Sequence, residues 1–187
     1  MQEYTNYADI LKNGGVGVAP TDTIYGILTS ALNEEAVNRV YEVKGRNTSK
    51  PLIILISDIN DIASFGISLR EDLGKEVVDK LEGYWPGPTS IILPCDSDNF
   101  KYLTRGTNSL AFRWPKKTDL EDVIKQTGPL VAPSANPEGL EPAKNIKEAR
   151  EYFGDKVDFY IDGGKLVGNS SKLLKLEDNG SLTTLRS

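Results

Sequence analysis

The most persistent apolar stretch of the chain is P-L-I-I-L-I-S at residues 51–57, bounded by turn-forming residues. A run that is apolar on both alternations predicts a strand covered on both faces. Further strands are expected at V-G-V-A-P (16–20), leading into T-D-T-I-Y-G, then at 89–94, 109–114, 129–132 and 157–161. The last two, 172–177 and 181–186, adjoin as a hairpin. Between the strands, apolar positions recur at helical spacing and predict helices over 4–12, 33–44, 58–65, 69–83, 118–127 and 145–153. Asn33 before Glu34 and Glu35 marks a helix start, because its side chain caps free amides and the acids suit the positive end. Gly45 is the matching stop, as Gly14 and Gly15 are for the first helix and W-P-G-P is for the 69–83 helix. Strands interleaved with helices, ending in adjoining strands, predict a single-domain α/β fold on a mixed sheet.

Composition narrows the chemistry. The 187 residues suit one globular domain, with 39% hydrophobic and 26% charged residues. Twenty-two basic against 27 acidic residues give a net charge of −5, which argues against indiscriminate binding to nucleic acid or acidic membranes but leaves room for a local basic pocket. Histidine is absent, which excludes a Ser-His-Asp triad, a Cys-His pair and imidazole-ligated metals. The single cysteine, Cys95, excludes an intrachain disulfide and suits a reducing cytoplasm. The polar start, M-Q-E-Y-T-N-Y-A-D-I-L-K-N-G-G, is unlike a signal peptide, and no apolar run is long enough to cross a bilayer. G-G-V-G lacks the dinucleotide-loop spacing, no P-loop motif occurs, and D-G-G-K at 162–165 reads as a turn. No carboxylate cluster has metal-ligand spacing, so magnesium would arrive with a nucleotide.

Several residues remain as candidates. Lys44 falls on the same helical face as Val37, Val40 and Tyr41, just before Gly45 and Arg46. Two cations there could meet phosphates in a cleft, or Lys44 could meet the negative helix end and snorkel outward. Losing a cation from a helix end is expected to cost little stability. In V-A-P-S-A-N (131–136), Ser134 and Asn136 would point the same way beyond a strand end, either towards a small ligand or into a Ser/Asn turn. A-P-T-D-T-I-Y-G (19–26) offers hydroxyls, although Thr is also an ordinary strand former. Arg113 in L-A-F-R-W-P is either a carboxylate clamp or a surface residue stacked on Trp114.

Taken in order, P-T-D-T-I-Y-G, E-E-A-V, Y-E-V-K-G-R, K-P-L-I, W-P-G-P-T-S, L-A-F-R-W-P, A-P-S-A-N and D-G-G resemble the YrdC-like family of threonylcarbamoyl-AMP synthases. The likeness runs from about residue 8 to the C-terminus. It implies an open, twisted α/β sheet around a large concave cavity. It also implies a cytoplasmic nucleotidyltransferase that converts L-threonine, bicarbonate and ATP, accompanied by magnesium, into threonylcarbamoyl-AMP and pyrophosphate. The product would serve threonylcarbamoyladenosine formation on tRNA, through contact with tRNA or with downstream transfer proteins, and no membrane is involved.

Carried onto these positions, the resemblance makes Lys44 and Arg46 catalytic and phosphate-binding. Thr48, Ser109, Asn136, Lys144 and Arg186 join them around ATP, and Thr21, Arg113, Ser134 and Ser171 surround L-threonine. No protein metal ligand is implied, and no separate C-terminal domain is expected. The sequence departs from the family pattern in two places. Pro137-Glu138-Gly139 follows S-A-N where S-G is usual, with Lys144 where Ser or Thr is common, and S-K-L-L-K brings Lys172 and Lys175 in place of Thr and Asp. Two other readings therefore stand beside the synthase. One is a paralogue with an altered substrate. The other is a double-stranded-RNA or tRNA-binding module whose concave surface is lined by Lys44, Arg46, Lys50, Arg113 and Lys144.

Overall fold

Alternation along the strands decides which side of the sheet each residue serves. The computed structural model describes residues 2–187, apart from the side chains of residues 2–6, 70 and 72. Its strands are β1 (Gly17–Pro20), β2 (Tyr25–Ser30), β3 (Ile53–Leu55), β4 (Thr89–Pro94), β5 (Ser109–Arg113), β6 (Leu130–Val131), β7 (Phe159–Tyr160), β8 (Lys172–Leu176) and β9 (Leu182–Arg186). They form one mixed sheet in the order β7-β1-β2-β6-β3-β5-β4-β8-β9. β1 with β7, β3 with β5 and β4 with β8 are parallel, and the other neighbours are antiparallel.

The helices are α1 (Gln2–Lys12), α2 (Glu34–Lys44), α3 (Lys75–Glu82), α4 (Lys101–Thr104), α5 (Thr118–Thr127) and α6 (Ile146–Phe153). One apolar cluster brings α1 and α5 onto Leu28, Leu55 and Leu130. The other packs α2, α3 and α6 with Ile27, Ile54 and Ile91. Ile54 and Leu55 therefore face opposite clusters, as the doubly apolar run at 51–57 predicts. At the start of α2, Asn33 Oδ1 accepts the Ala36 N–H at 3.0 Å. At its end, Gly45 takes the left-handed conformation (φ 58°, ψ 32°) that glycine adopts without steric penalty.

Two expected helices come out differently. Residues Ile59–Phe65 wind as a tighter 3-10 helix, capped by Asp58. The 69–83 helix is interrupted at Gly74, whose φ of 75° and ψ of 159° lie outside any helix, so regular α-structure begins only at Lys75. The short α4 was not expected.

Residues 161–171 carry no regular structure, yet they join β7 at one edge of the sheet to β8 near the other. This strap begins with the anticipated D-G-G turn, in which the Gly164 N–H donates to Asp162 Oδ1 at 2.8 Å. The Tyr25 hydroxyl latches it, accepting from the Gly163 N–H and donating to Gly164 O, both at 2.8 Å. Further along, Gly168 passes so close to Thr23 that a Cβ would lie 2.3 Å from the Thr23 carbonyl oxygen. Only glycine fits that crossing.

Candidate functional site

Strand ends and connecting loops surround a cavity of about 340 Å³. The β1–β2 turn contributes Thr21 and Thr23, β5 contributes Ser109 and Arg113, and the loop after β6 contributes Ser134. Arg46 enters from the loop after α2, Ser170 and Ser171 from the end of the strap, and Arg186 from β9. Among the described residues, the wall holds three arginines and several Ser, Thr and Tyr hydroxyls, but no carboxylate. Such a lining favours an anionic, hydroxyl-bearing occupant.

Each arginine already has a partner within the protein. Arg113 is buried, neither free in the cavity nor stacked on the surface, and it donates to Thr23 Oγ1 at 3.2 Å. Its Nη2 lies 3.3 Å from Asp22 Oδ1, the separation of an ion pair. Asp22 Oδ1 and Arg113 Nε are both buried without a hydrogen-bond partner and keep unused hydrogen-bonding capacity. Burial pushes the Asp22 carboxyl upward against the opposing pull of Arg113. It also lowers the Arg113 guanidinium, with Asp22 opposing and Arg186 assisting. Arg186 donates to Ser171 O at 2.8 and 3.0 Å, and the Ser171 hydroxyl in turn lies 2.8 Å from that of Ser90. Arg46 reaches Lys50 O and Pro51 O at 3.3 and 3.2 Å.

Lys44 is neither snorkelled nor in the cavity wall. The residue is 2% exposed, and its ammonium donates to Ser134 O and, at 2.5 Å, to Asn136 O. It therefore holds the S-A-N loop from behind. Burial brings its pKa down from 10.5 to about 7, the Arg46 cation adding to the fall and Glu138 opposing it. Both readings of S-A-N are partly realised. Ser134 faces the cavity and donates to Asn136 Oδ1 at 2.6 Å, while the Asn136 amide turns into its own loop, donating to Pro137 O and Leu140 O at 2.9 and 2.7 Å.

The cavity thus brings together Thr21, Arg46, Ser109, Arg113, Ser134, Ser171 and Arg186. Thr48 and Lys144 are exposed and lie outside its wall, as do Asn136 and Lys44. Lys50 pairs with Glu138 instead of lining the cavity. Thr23 lines it with the hydroxyls of the 19–26 segment, and Thr107 and Ser170 line it although sequence reasoning does not single them out. Ser170 sits beside Ser171 in N-S-S, which is the one local signal that could have found it. Cys95 is buried against Phe65 O and takes no part. Among the described residues, no three His, Cys, Asp or Glu side chains converge where a metal could sit, and no helix is long and apolar enough to cross a membrane.

Residues 9–187 match the Sua5/YciO/YrdC family, described as telomere recombination. The chain is 32% identical over 167 residues to a threonylcarbamoyl-AMP synthase of Pseudomonas aeruginosa, covering 89% of this chain and 88% of that one. It is 32% identical over 177 residues to one from Pyrococcus abyssi, covering 91% of this chain and 50% of that protein. The crystal structure of P. abyssi Sua5 complexed with L-threonine superposes with a TM-score of 0.88 at 30% identity, over 99% of this chain and 54% of that one. The chain spans about half the length of these Pyrococcus relatives.

Proposed function

The chain belongs to the Sua5/YciO/YrdC family, and on that footing we propose that it makes threonylcarbamoyl-AMP and pyrophosphate from L-threonine, bicarbonate and ATP. The observation that carries the reading is the cavity wall, with three arginines, a set of hydroxyls and no carboxylate among the described residues. Threonine carboxylate, carbamate and triphosphate are all anions, and each needs what that wall supplies.

The reaction asks for no protein nucleophile. The neutral threonine amine displaces water from bicarbonate and becomes a carbamate. A carbamate oxygen then bonds to the α-phosphorus as the bond from that phosphorus to the bridging oxygen breaks and pyrophosphate leaves. Such transfer depends on positioning and charge neutralisation. Arg113, with its Nε unused, would receive the threonine carboxylate, for which the planar guanidinium fork is suited. Thr21, Ser134 and Ser171 would surround the amino and hydroxyl groups. Arg46 would balance charge on the leaving pyrophosphate, with Ser109 and Arg186 on the nucleotide side. Lys44 serves by fixing Ser134 through its backbone carbonyl. The described residues do not make a cradle for magnesium, so it would enter as the counter-ion of ATP. The setting is the cytoplasm, with the labile product passing to tRNA threonylcarbamoyl-transfer proteins.

Pyrophosphate release from ATP is the test. Release that requires both L-threonine and bicarbonate is expected. Release indifferent to either, or none from well-folded protein, removes the synthase reading and favours an altered paralogue or an RNA-binding module.

A further inference from the structure

One residue stitches the loop after K-G-R to the loop after S-A-N. The Glu138 N–H donates to Lys44 O at 2.9 Å. Its carboxylate accepts the Asn47 N–H through one oxygen and meets the Lys50 ammonium through the other. The 45–51 loop supports itself without this tie. Asn47 Oδ1 accepts from the Ser49 N–H and hydroxyl at 2.9 and 2.8 Å, and the Tyr41 hydroxyl donates to Lys50 O at 3.0 Å. Arg46 closes the loop through Lys50 O and Pro51 O. A backbone N–H and an exposed ammonium converging on one carboxylate, beside an arginine that faces the cavity, are the components of an oxyanion site. Lys50, Asn47 and Arg46 hold the Glu138 carboxyl below the usual range, as expected of an anion in such a site.

We propose that Glu138 is a tethered competitor for polyphosphate, occupying the anion position of the 46–50 loop and yielding Asn47 N–H and Lys50 to an incoming nucleotide. The proposal rests on the nucleotide reading given above. When phosphate oxygens take over these donors, Lys50 is released from its pair and Glu138 turns to water, towards which its side chain is already 29% exposed. A weakly charged anion gains little from the exchange, whereas a triphosphate gains most. Glu138 thereby sets a charge threshold for entry.

Calorimetric titration of the full chain with inorganic orthophosphate, pyrophosphate and tripolyphosphate tests this in the parent and in Glu138→Gln. The amide keeps an oxygen for the Asn47 N–H, so the loop tie survives while the charge goes. Tripolyphosphate is expected to bind the variant about threefold to fivefold more tightly, the range open to a partly screened charge. The gain should shrink through pyrophosphate to orthophosphate, a gradation that a merely structural role would not produce. Adding Lys50→Ala should remove the gain. If Glu138→Gln melts early, Glu138→Asp, whose shorter arm cannot reach both partners, should shift affinity in the same direction. Equal or weaker tripolyphosphate binding by the folded variants, with the parent binding normally, overturns this proposal alone. Failure of parent and variants alike to bind overturns the nucleotide reading with it.

Discussion

Arg113 and Asp22 stand 3.3 Å apart with side chains only 4% and 5% exposed. Each is the other's nearest charge compensation, and each has an atom without a hydrogen-bond partner. Removing one partner of a buried pair is far more damaging than the pair is stabilising, because the remaining charge stays desolvated. Asp22→Asn should therefore lower unfolding free energy by about 3 kcal/mol. L-Threonine brings a carboxylate to the abandoned guanidinium, so it should raise the variant's melting temperature more than the parent's. Equal ligand-induced shifts in the two proteins would place the threonine carboxylate elsewhere.

Lys44 was expected to be dispensable for folding, as a cation at a helix end. Its burial against two carbonyls changes that. Lys44→Met leaves Ser134 O and Asn136 O without this donor and should cost about 1–3 kcal/mol. The pH dependence carries a definite sign. The folded-state pKa is about 7 against 10.5 for an unperturbed lysine, so between those values the unfolded chain binds more protons. Stability contributed by this group therefore rises with pH across that window and is flat below it. Denaturant titrations at pH about 6, 8 and 10 should show the parent gaining stability relative to Lys44→Met. A constant difference would mean that Lys44 titrates normally.

Arg46 presents the opposite case, since it is only partly buried and bonds two carbonyls of its own loop. Arg46→Ala should keep the fold while weakening ATP binding by about 10- to 150-fold, the loss of one charge-assisted contact. Calorimetry of ATP binding alongside thermal melting separates the two effects. Unchanged affinity would remove Arg46 from the phosphate site.

Substrate choice tests the threonine pocket as a whole. Serine lacks only the γ-methyl, worth about 1–3 kcal/mol in an apolar pocket, and should be poorer by roughly 10- to 200-fold. Valine keeps the shape but leaves buried hydroxyl partners unpaired, and should be rejected more strongly. Bicarbonate-dependent pyrophosphate release across the three amino acids provides the comparison. Equal use of all three would mean that no threonine pocket exists.

Local signals were legible where local physics decides the outcome. The Asn33 cap, the Gly45 stop and the doubly apolar strand around Ile54 need only their neighbours in sequence. The 69–83 helix was overextended because apolar periodicity continues across Gly74, whose backbone does not. In the site, the buried face of Lys44 could be read from helical spacing. Its targets could not, since Ser134 and Asn136 lie 90 and 92 residues away. Thr107 and Ser170 escape sequence reading for a similar reason. Which hydroxyls face the cavity depends on where the strap crosses, and no short window of sequence records that.

That strap has almost no slack. Between β7 and β8 lie seven inter-strand spacings, about 34 Å across a flat sheet at roughly 4.8 Å each. Residues 161–171 can span at most about 40 Å when fully drawn out, and the D-G-G turn uses part of that length. Gly168 crosses Thr23 only four residues before β8 begins, so the sheet curls to bring the β1–β2 turn close to β8, and the strap acts as a bowstring across the curvature that encloses the cavity. Length is consequently a structural variable here in its own right. An added residue only loosens the string, whereas a deletion must bend the sheet further, pull the turn from the Tyr25 hydroxyl or unpair an edge strand.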